Sequence, residues 1–258
     1  MQVKALGHKW DKGTVTKKAT RTATGLIVYK CTRCGAKKTS TIPKLYVDPI
    51  TETAISPDNP VSFSSLEKKI LKTRFKKAVK DSTFGYLRFM GKGTKKAQTK
   101  LFWKQVPTAK KYVVYRAQSG GKLKKITTTS KRTVTISKLT PGRYYQYVVV
   151  AVNGSKAVGV SIPIYVAAGT CKKANVVSVT ASDDVISVNV GGTYSLSADS
   201  EKSAGGYKSF RPLRYESSNM DVASVGKNGT VVGLGKGQCY VRVYSQTGTY
   251  DEVEVYVN

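Results

Sequence analysis

The sequence predicts a mostly β protein in which tandem Ig-like β-sandwiches follow a small N-terminal CxxC β module and one amphipathic helix. The 258 residues exceed the usual domain length of about 100 to 150 residues, which favours two or three units. Val, Thr and the 16 Tyr residues suit half-buried pleated surfaces. From about residue 84, short alternating runs are separated by turn residues, as in sandwiches.

The first element is a small β module over residues 1–48, with a strand-like run at 26–29 that leads into Cys31-Thr32-Arg33-Cys34-Gly35. A stretch punctuated by proline follows, so residues 49–83 are predicted to be a linker plus an amphipathic helix. Apolar residues at helical spacing place that helix at 64–80, and Ser64 to Glu67 has the form of a capping box. Its lysine-rich face is interpreted either as a surface that binds an anionic partner or as the outer face of a helix whose apolar stripe packs onto the next domain.

The first sandwich-forming region, residues 84–168, contains five runs with strand character. A Trp in the second strand and the pattern Leu-Thr-Pro-Gly-Arg-Tyr-Tyr at 139–145 resemble a fibronectin type III module. The resemblance implies that Trp103 anchors the core and that Leu139 and Tyr145 form a tyrosine corner. The Gly-Lys-Gly-Thr-Lys-Lys run at 91–96 lacks the spacing of a phosphate-binding loop and is predicted to be a turn.

The last region, residues 171–258, carries Ser-Ser-Asn at 217–219, Val-Ala-Ser-Val at 222–225 and glycines at 229, 233 and 237. This pattern strongly resembles the group 2 bacterial immunoglobulin-like domain. The alternation predicts inward side chains at Tyr215, Val222, Val225, Val231, Val241 and Val243. Cys239 falls on the same face and is expected to be a buried thiol.

Cys31 and Cys34 are the candidate metal ligands, because two thiolates at this spacing can grip one ion from a knuckle turn. Residues 7–43 resemble a small repeat of Gram-positive surface proteins, whose fuller versions carry a further Cys and a closing Gly-His. Arg21 and Lys44-Leu45 stand at those places here. His8 can add a third ligand only if a hairpin returns it to the turn.

A structural zinc site needs four ligands, so zinc is expected to be weak or absent, and no other cofactor is expected. A disulfide between Cys31 and Cys34, or a reduced pair, are the alternatives. Pairing among these two, Cys171 and Cys239 stays open.

The net charge of +29 is concentrated in the first two thirds of the chain. Residues 49–170 have 24 Lys/Arg against 4 Asp/Glu, a net +20, whereas residues 171–258 have 9 against 9 and are neutral. Such a field attracts polyanions, so anionic cell-wall polymers, glycans and host surface proteins are expected partners. A solubilising lysine surface is the alternative. Nucleic acid is disfavoured because the aromatic residues lie on core-patterned strands and Lys greatly outnumbers Arg.

The chemistry of an enzyme is missing from the sequence: there is one His, no nucleotide-binding glycine loop and no evident pair of catalytic carboxylates. No stretch has the roughly 18 apolar residues of a transmembrane segment. We therefore expect a non-catalytic extracellular adhesion or spacer segment of a secreted or surface-attached bacterial protein. The alternatives are an anionic-glycan or cell-wall polymer binding module, with salt-dependent binding confined to residues 64–170, and accessory domains of a larger secreted enzyme.

Overall fold

The computed structural model describes residues 7–18, 23–42, 55–72, 87–95, 97–118, 121–169, 175–202 and 213–258. Within these ranges the chain forms 21 strands and one helix. The predicted fold class, mostly β with Ig-like sandwiches and one helix, is confirmed. No sheet formed by these residues combines strands from both sides of residue 170.

The N-terminal residues form an antiparallel sheet in the order β1-β2-β3. Its strands are β1 (Thr14–Lys17), β2 (Gly25–Lys30) and β3 (Lys37–Ile42). Alternation along β2 buries Ile27 and Tyr29 on one face, beside Ile42 of β3. The turn between β2 and β3 carries both cysteines of the CxxC pair.

The middle of the chain is a sandwich of two antiparallel sheets. The smaller sheet has the order β5-β6-β9, and the larger has the order β4-β11-β10-β7-β8, with β12 also paired to β10. The strands are β4 (Val61–Ser62), β5 (Phe89–Thr94), β6 (Gln98–Trp103), β7 (Lys111–Gln118), β8 (Lys124–Thr129), β9 (Thr133–Ile136), β10 (Tyr144–Asn153), β11 (Lys156–Val160) and β12 (Ile164–Ala167).

The core between these sheets contains both anchor residues that the fibronectin type III resemblance implies. Trp103 and Tyr145 are 4% and 3% exposed and belong to one cluster, which confirms their predicted burial. The Tyr145 hydroxyl accepts a hydrogen bond from the backbone N–H of Thr140 at 3.0 Å. This bond closes the tyrosine corner over the chain reversal before β10.

The helix α1 (Phe63–Lys72) packs on the outer face of the larger sheet. Leu66 and Ile70, one turn apart, are buried there, and Tyr115 of β7 donates a hydrogen bond to Glu67 at 2.7 Å. The helix therefore uses its apolar stripe to cover the sandwich. Residues 73–80 of the predicted helix lie outside the described residues.

The prediction of a turn over residues 91–96 is wrong for residues 91–94. They lie in β5, and the reversal falls between β5 and β6. A Cβ on Gly91 would come within 2.6 Å of Val166, and one on Gly93 would overlap the carbonyl oxygen of Gly169. The glycines reflect close packing inside a strand rather than a turn, which the local sequence does not distinguish.

The C-terminal region packs three sheets around one core. Their orders are β13-β16, β14-β21-β20-β17 and β15-β19-β18. The strands are β13 (Val176–Ala181), β14 (Val185–Val188), β15 (Thr193–Ser195), β16 (Ala198–Lys202), β17 (Arg214–Ser217), β18 (Ala223–Val225), β19 (Thr230–Gly233), β20 (Gly237–Tyr244) and β21 (Tyr250–Val257). Cys239 and the predicted inward valines are buried, and Tyr215 is half-buried.

The N-terminal sheet packs against the C-terminal sandwich. Ile27, Tyr29 and Ile42 share a buried cluster with Val232 of β19. The Tyr29 hydroxyl donates a hydrogen bond to the carbonyl oxygen of Gly191. The first module is thus placed on the last one, an arrangement that a simple row of modules in sequence order does not predict.

Candidate metal centre

The predicted metal ligands Cys31 and Cys34 lie in the knuckle that joins β2 to β3. The Cys31 N–H donates to the carbonyl of Ala36 at 2.7 Å, and the Gly35 N–H donates to the carbonyl of Cys31 at 2.9 Å. Gly35 has a φ of 75°, a left-handed conformation that glycine adopts without strain. The turn therefore places both sulfur atoms on one side of the knuckle.

His8 is returned to this knuckle by the strand-like segment before β1. Trp10 forms an isolated antiparallel bridge with Cys31, and the Thr32 N–H donates to the carbonyl of Lys9 at 2.8 Å. These contacts return His8 to the turn, which is what a third ligand requires. His8 Nδ1 lies 3.2 Å from Cys34 Sγ, and the ligand atoms of His8, Cys31 and Cys34 all lie within 4.8 Å of one another.

The electrostatics of the knuckle favour the thiolate of Cys31. Burial raises the pKa of this thiol, but hydrogen bonds from the backbone of Arg33 and Cys34 and from the His8 and Cys34 side chains outweigh it and lower the pKa to about 6. The Arg33 N–H lies 3.4 Å from the sulfur. Cys31 is only 1% exposed, whereas His8 and Cys34 are exposed, so one side of the cluster faces solvent.

The arrangement has the dimensions of a tetrahedral zinc site. Zn–S bonds of about 2.3 Å and Zn–N bonds of about 2.0 Å place neighbouring ligand atoms about 3.5 to 4 Å apart. Here His8 Nδ1 and Cys34 Sγ are 3.2 Å apart and all three donor atoms lie within 4.8 Å of one another, so small side-chain adjustments would bring them to that spacing. Cys31, Cys34 and Cys239 are free thiols, and Cys171 lies outside the described residues.

A groove of about 720 Å³ opens beside this cluster, between the N-terminal sheet and the C-terminal sandwich. Trp10, Tyr29 and Lys38 line it from one side and Asn189 and Gly191 from the other. The Lys38 ammonium lies 4.8 Å from the Trp10 ring centre and 4.9 Å from that of Tyr29. Sequence analysis missed this groove because its two walls are about 150 to 180 residues apart in the chain.

The fold and the module interfaces define a class of protein: an array of immunoglobulin-like and fibronectin type III-like modules. Residues 175–255 match the bacterial Ig-like domain (group 2) family, and residues 94–160 match the PBP1-like, fibronectin3-like domain family. Such modules are typical of extracellular surface or multidomain proteins and are generally non-catalytic. Comparison with curated proteins gives no significant match.

Solved structures with detectable similarity include a Fn3-like protein from Clostridium thermocellum, 25% identical over 31% of this chain and 93% of that chain, with a TM-score of 0.26. Fibronectin(III)-like modules of Clostridium thermocellum CbhA are 13% identical over 65% of this chain and 88% of that chain, with a TM-score of 0.27. Domains 4 and 5 of the S-layer protein SbsC are 14% identical over 66% of this chain and 96% of that chain, with a TM-score of 0.29. These TM-scores are below 0.5, so the likenesses support no inference about function.

The part of the chain that the structure describes contains no helix with the length and apolar character needed to cross a membrane.

Proposed function

We propose that this chain is a non-catalytic extracellular segment that holds its modules as one stiff spacer on a bacterial secreted or surface-attached protein. The observation that carries the proposal is the interlocking of the modules, since a spacer with a defined reach needs fixed angles between its parts. Interfaces between domains of one chain are usually small and allow relative motion. The contacts described next are hydrogen-bonded and largely buried, which opposes such motion.

The first contact is the turn between β20 and β21, which inserts into the fibronectin type III-like sandwich. Ser245, Gln246 and Thr247 are polar, yet each is at most 4% exposed. The N–H of Gly91 donates to the carbonyl of Thr247 at 3.0 Å, and that of Tyr165 donates to the carbonyl of Gln246 at 2.7 Å. Because buried backbone groups must be paired, these bonds fix the position of the turn in its pocket, and any shift of the turn that keeps it buried would leave polar groups unpaired.

The second contact is made by Asn175, just before β13. Its side-chain amide donates to the carbonyl of Ala167 at 3.0 Å, and its side-chain oxygen accepts from the N–H of the same residue at 2.9 Å. Asn175 thereby continues the hydrogen bonding of β12 across the junction between the two sandwiches. Arg88 adds an ion pair to Glu252 at 3.3 Å and a hydrogen bond to the Tyr250 hydroxyl at 3.1 Å.

Small-angle scattering of the chain in solution, combined with protease treatment of intact cells that produce the protein, tests this function. We expect a single compact scattering profile that does not change with salt, and digestion of the protein on whole cells. A scattering profile that requires an ensemble of module orientations would contradict the stiff spacer. Protection of the protein in whole cells, with digestion only after lysis, would contradict the extracellular location.

Binding of an anionic glycan is a second candidate, and the groove beside the metal cluster favours it. The partly exposed Trp10 ring, amide side chains and a lysine in one cleft are groups that pack on sugar rings and bind their hydroxyl and carboxylate groups. This groove lies outside residues 64–170, where the sequence alone places such binding.

Binding of a glucuronic acid-containing oligosaccharide at two salt concentrations, measured by calorimetry, tests this candidate. We expect Lys38→Ala to weaken binding and Lys37→Ala, a matched change at the exposed neighbouring residue, to leave it unchanged. Equal loss in both variants would indicate only a diffuse effect of charge. Unchanged binding in both would place any glycan site elsewhere, including residues 64–170.

A further inference from the structure

We infer that His8, Cys31 and Cys34 form a zinc site with three protein ligands and a fourth coordination position open to solvent. This inference goes beyond the proposed spacer function and does not depend on it. The donor set of two thiolates and one imidazole is selective for zinc and other soft or borderline metals over magnesium and calcium. The three donor atoms come from two chain segments 23 residues apart, so their approach is a product of the fold.

The cluster is held in place by contacts that do not involve the donor atoms. The Arg33 guanidinium donates to the carbonyl of Gly7 at 2.9 Å, which fixes the backbone beside His8. The Thr32 hydroxyl donates to the carbonyl of Lys9 at 3.1 Å, in addition to the backbone bond between the same two residues. The ligands are therefore preorganised, which lowers the entropy lost when an ion binds.

The fourth position faces solvent because His8 and Cys34 are exposed, and no other donor from the described residues joins the cluster. His8, Cys31 and Cys34 are the only His, Cys, Asp or Glu residues in this group among the residues that the structure places. Asp11, a carboxylate of the same module, accepts hydrogen bonds from the N–H groups of Gly13 and Lys30 at 2.9 and 3.0 Å. Both bonds are accepted by Oδ1, which thereby holds the segment before β1 beside the end of β2.

An open zinc position on an exposed knuckle favours recruitment of a donor over catalysis. Catalytic zinc sites also keep a free position, but they enclose it in a dry, shaped cavity. Here His8 and Cys34 are exposed, so the free position is occupied by water or by a donor atom of another molecule. Two thiolates also neutralise the charge of the ion, which suits a module that is already strongly basic.

Cobalt(II) titration of the full, reduced chain tests the site, because cobalt reports thiolate and imidazole ligation through its absorption spectrum. We expect one equivalent to give thiolate-to-cobalt charge-transfer bands and the visible bands of a tetrahedral centre, and zinc to displace it. The exposed-ligand variants His8→Ala and Cys34→Ser should weaken zinc binding on the order of 100-fold or more, since even outer-shell changes reach 10 to 100-fold. Cys239→Ala, which removes a thiol in the C-terminal core, should have no effect.

A separate measurement tests whether the fourth coordination position is open. Added free imidazole should shift the visible cobalt bands of the wild-type protein, because it enters the fourth position. Bands that do not respond to imidazole would show that a fourth protein ligand closes the site, and would overturn the open coordination. Absence of charge-transfer bands, or equal zinc binding in wild type and His8→Ala, would overturn the site itself.

Discussion

Replacing Gly248 with Ala should uncouple the two sandwiches while each stays folded. Gly248 ends the buried turn between β20 and β21 and has a φ of 81°. A Cβ at this position would overlap the carbonyl oxygen of Phe89 in the neighbouring sandwich, and the obstacle is backbone that cannot rotate away. The turn must therefore withdraw from the interface.

The loss of coupling between the two sandwiches in Gly248→Ala has two contributions. A non-glycine residue in the left-handed region costs roughly 1 to 2 kcal/mol. Withdrawal also breaks the bonds from Gly91 to Thr247 and from Tyr165 to Gln246, each worth about 1 kcal/mol. We therefore expect the substitution to weaken the coupling between the two sandwiches by about 3 to 4 kcal/mol.

Urea unfolding followed by circular dichroism, together with the radius of gyration from scattering, measures this loss. The wild type should unfold with its sandwiches coupled, and Gly248→Ala should show two separated transitions and a larger radius of gyration. Gly154→Ala is the matched control, because Gly154 also has a positive φ, 56°, but has no atom within 4 Å of an added Cβ. Equal behaviour of the two variants would refute the interlocking interface.

Three further predictions concern separate parts of the fold. Trp103→Ala should destabilise the middle sandwich by about 3 to 5 kcal/mol in urea unfolding, because the buried indole packs in the core with its ring centre 5.3 Å from that of Tyr112. A loss of stability below about 1 kcal/mol would contradict this packing role. Burial raises the pKa of Tyr147 to about 12 from 10.0, so the folded state favours the neutral phenol and the free energy of unfolding should fall as pH rises from 10 towards 12. Phenolate absorbance and thermal unfolding across that pH range measure this fall. Titration of every tyrosine near pH 10 without unfolding would contradict the prediction. Tyr29→Phe should lower the stability of the interface between the N-terminal sheet and the C-terminal sandwich by about 1 to 3 kcal/mol, because it leaves the Gly191 carbonyl unpaired. Faster amide hydrogen exchange in β2 would report this loss. Unchanged exchange would show that this bond does not hold the N-terminal module.

The elements that could be predicted from the sequence are those whose signal is local. The nearly continuous apolar run 145–152 predicted β10, and the Leu-Thr-Pro-Gly pattern, through its resemblance to fibronectin type III modules, predicted the tyrosine corner, because both depend on residues close together in the chain. The burial of Cys239 likewise follows from its register with Val241 and Val243. Period-2 patterns predict such positions wherever one face of a strand is covered.

The features that could not be predicted depend on partners remote in sequence. Glycines 91 and 93 indicate a turn until Val166 and Gly169 are seen to pack against them. The approach of His8 to Cys34 requires the bridge between Trp10 and Cys31, which no local pattern encodes. The contact of the N-terminal sheet with β19 depends on complementary surfaces of two modules, so composition and spacing give no sign of it.

The parallel pairing of β14 with β21 determines how the C-terminal module responds to mechanical load. Residues 185–188 run alongside residues 254–257 in the same direction. When β14 is pulled at its N-terminal end and β21 at its C-terminal end, these two strands are drawn past each other along their length. Their hydrogen bonds are then loaded in shear and must break together, whereas an antiparallel hairpin pulled from its open end unzips one bond at a time. A module with this topology should therefore resist tension better than one in which the loaded strands form an antiparallel hairpin.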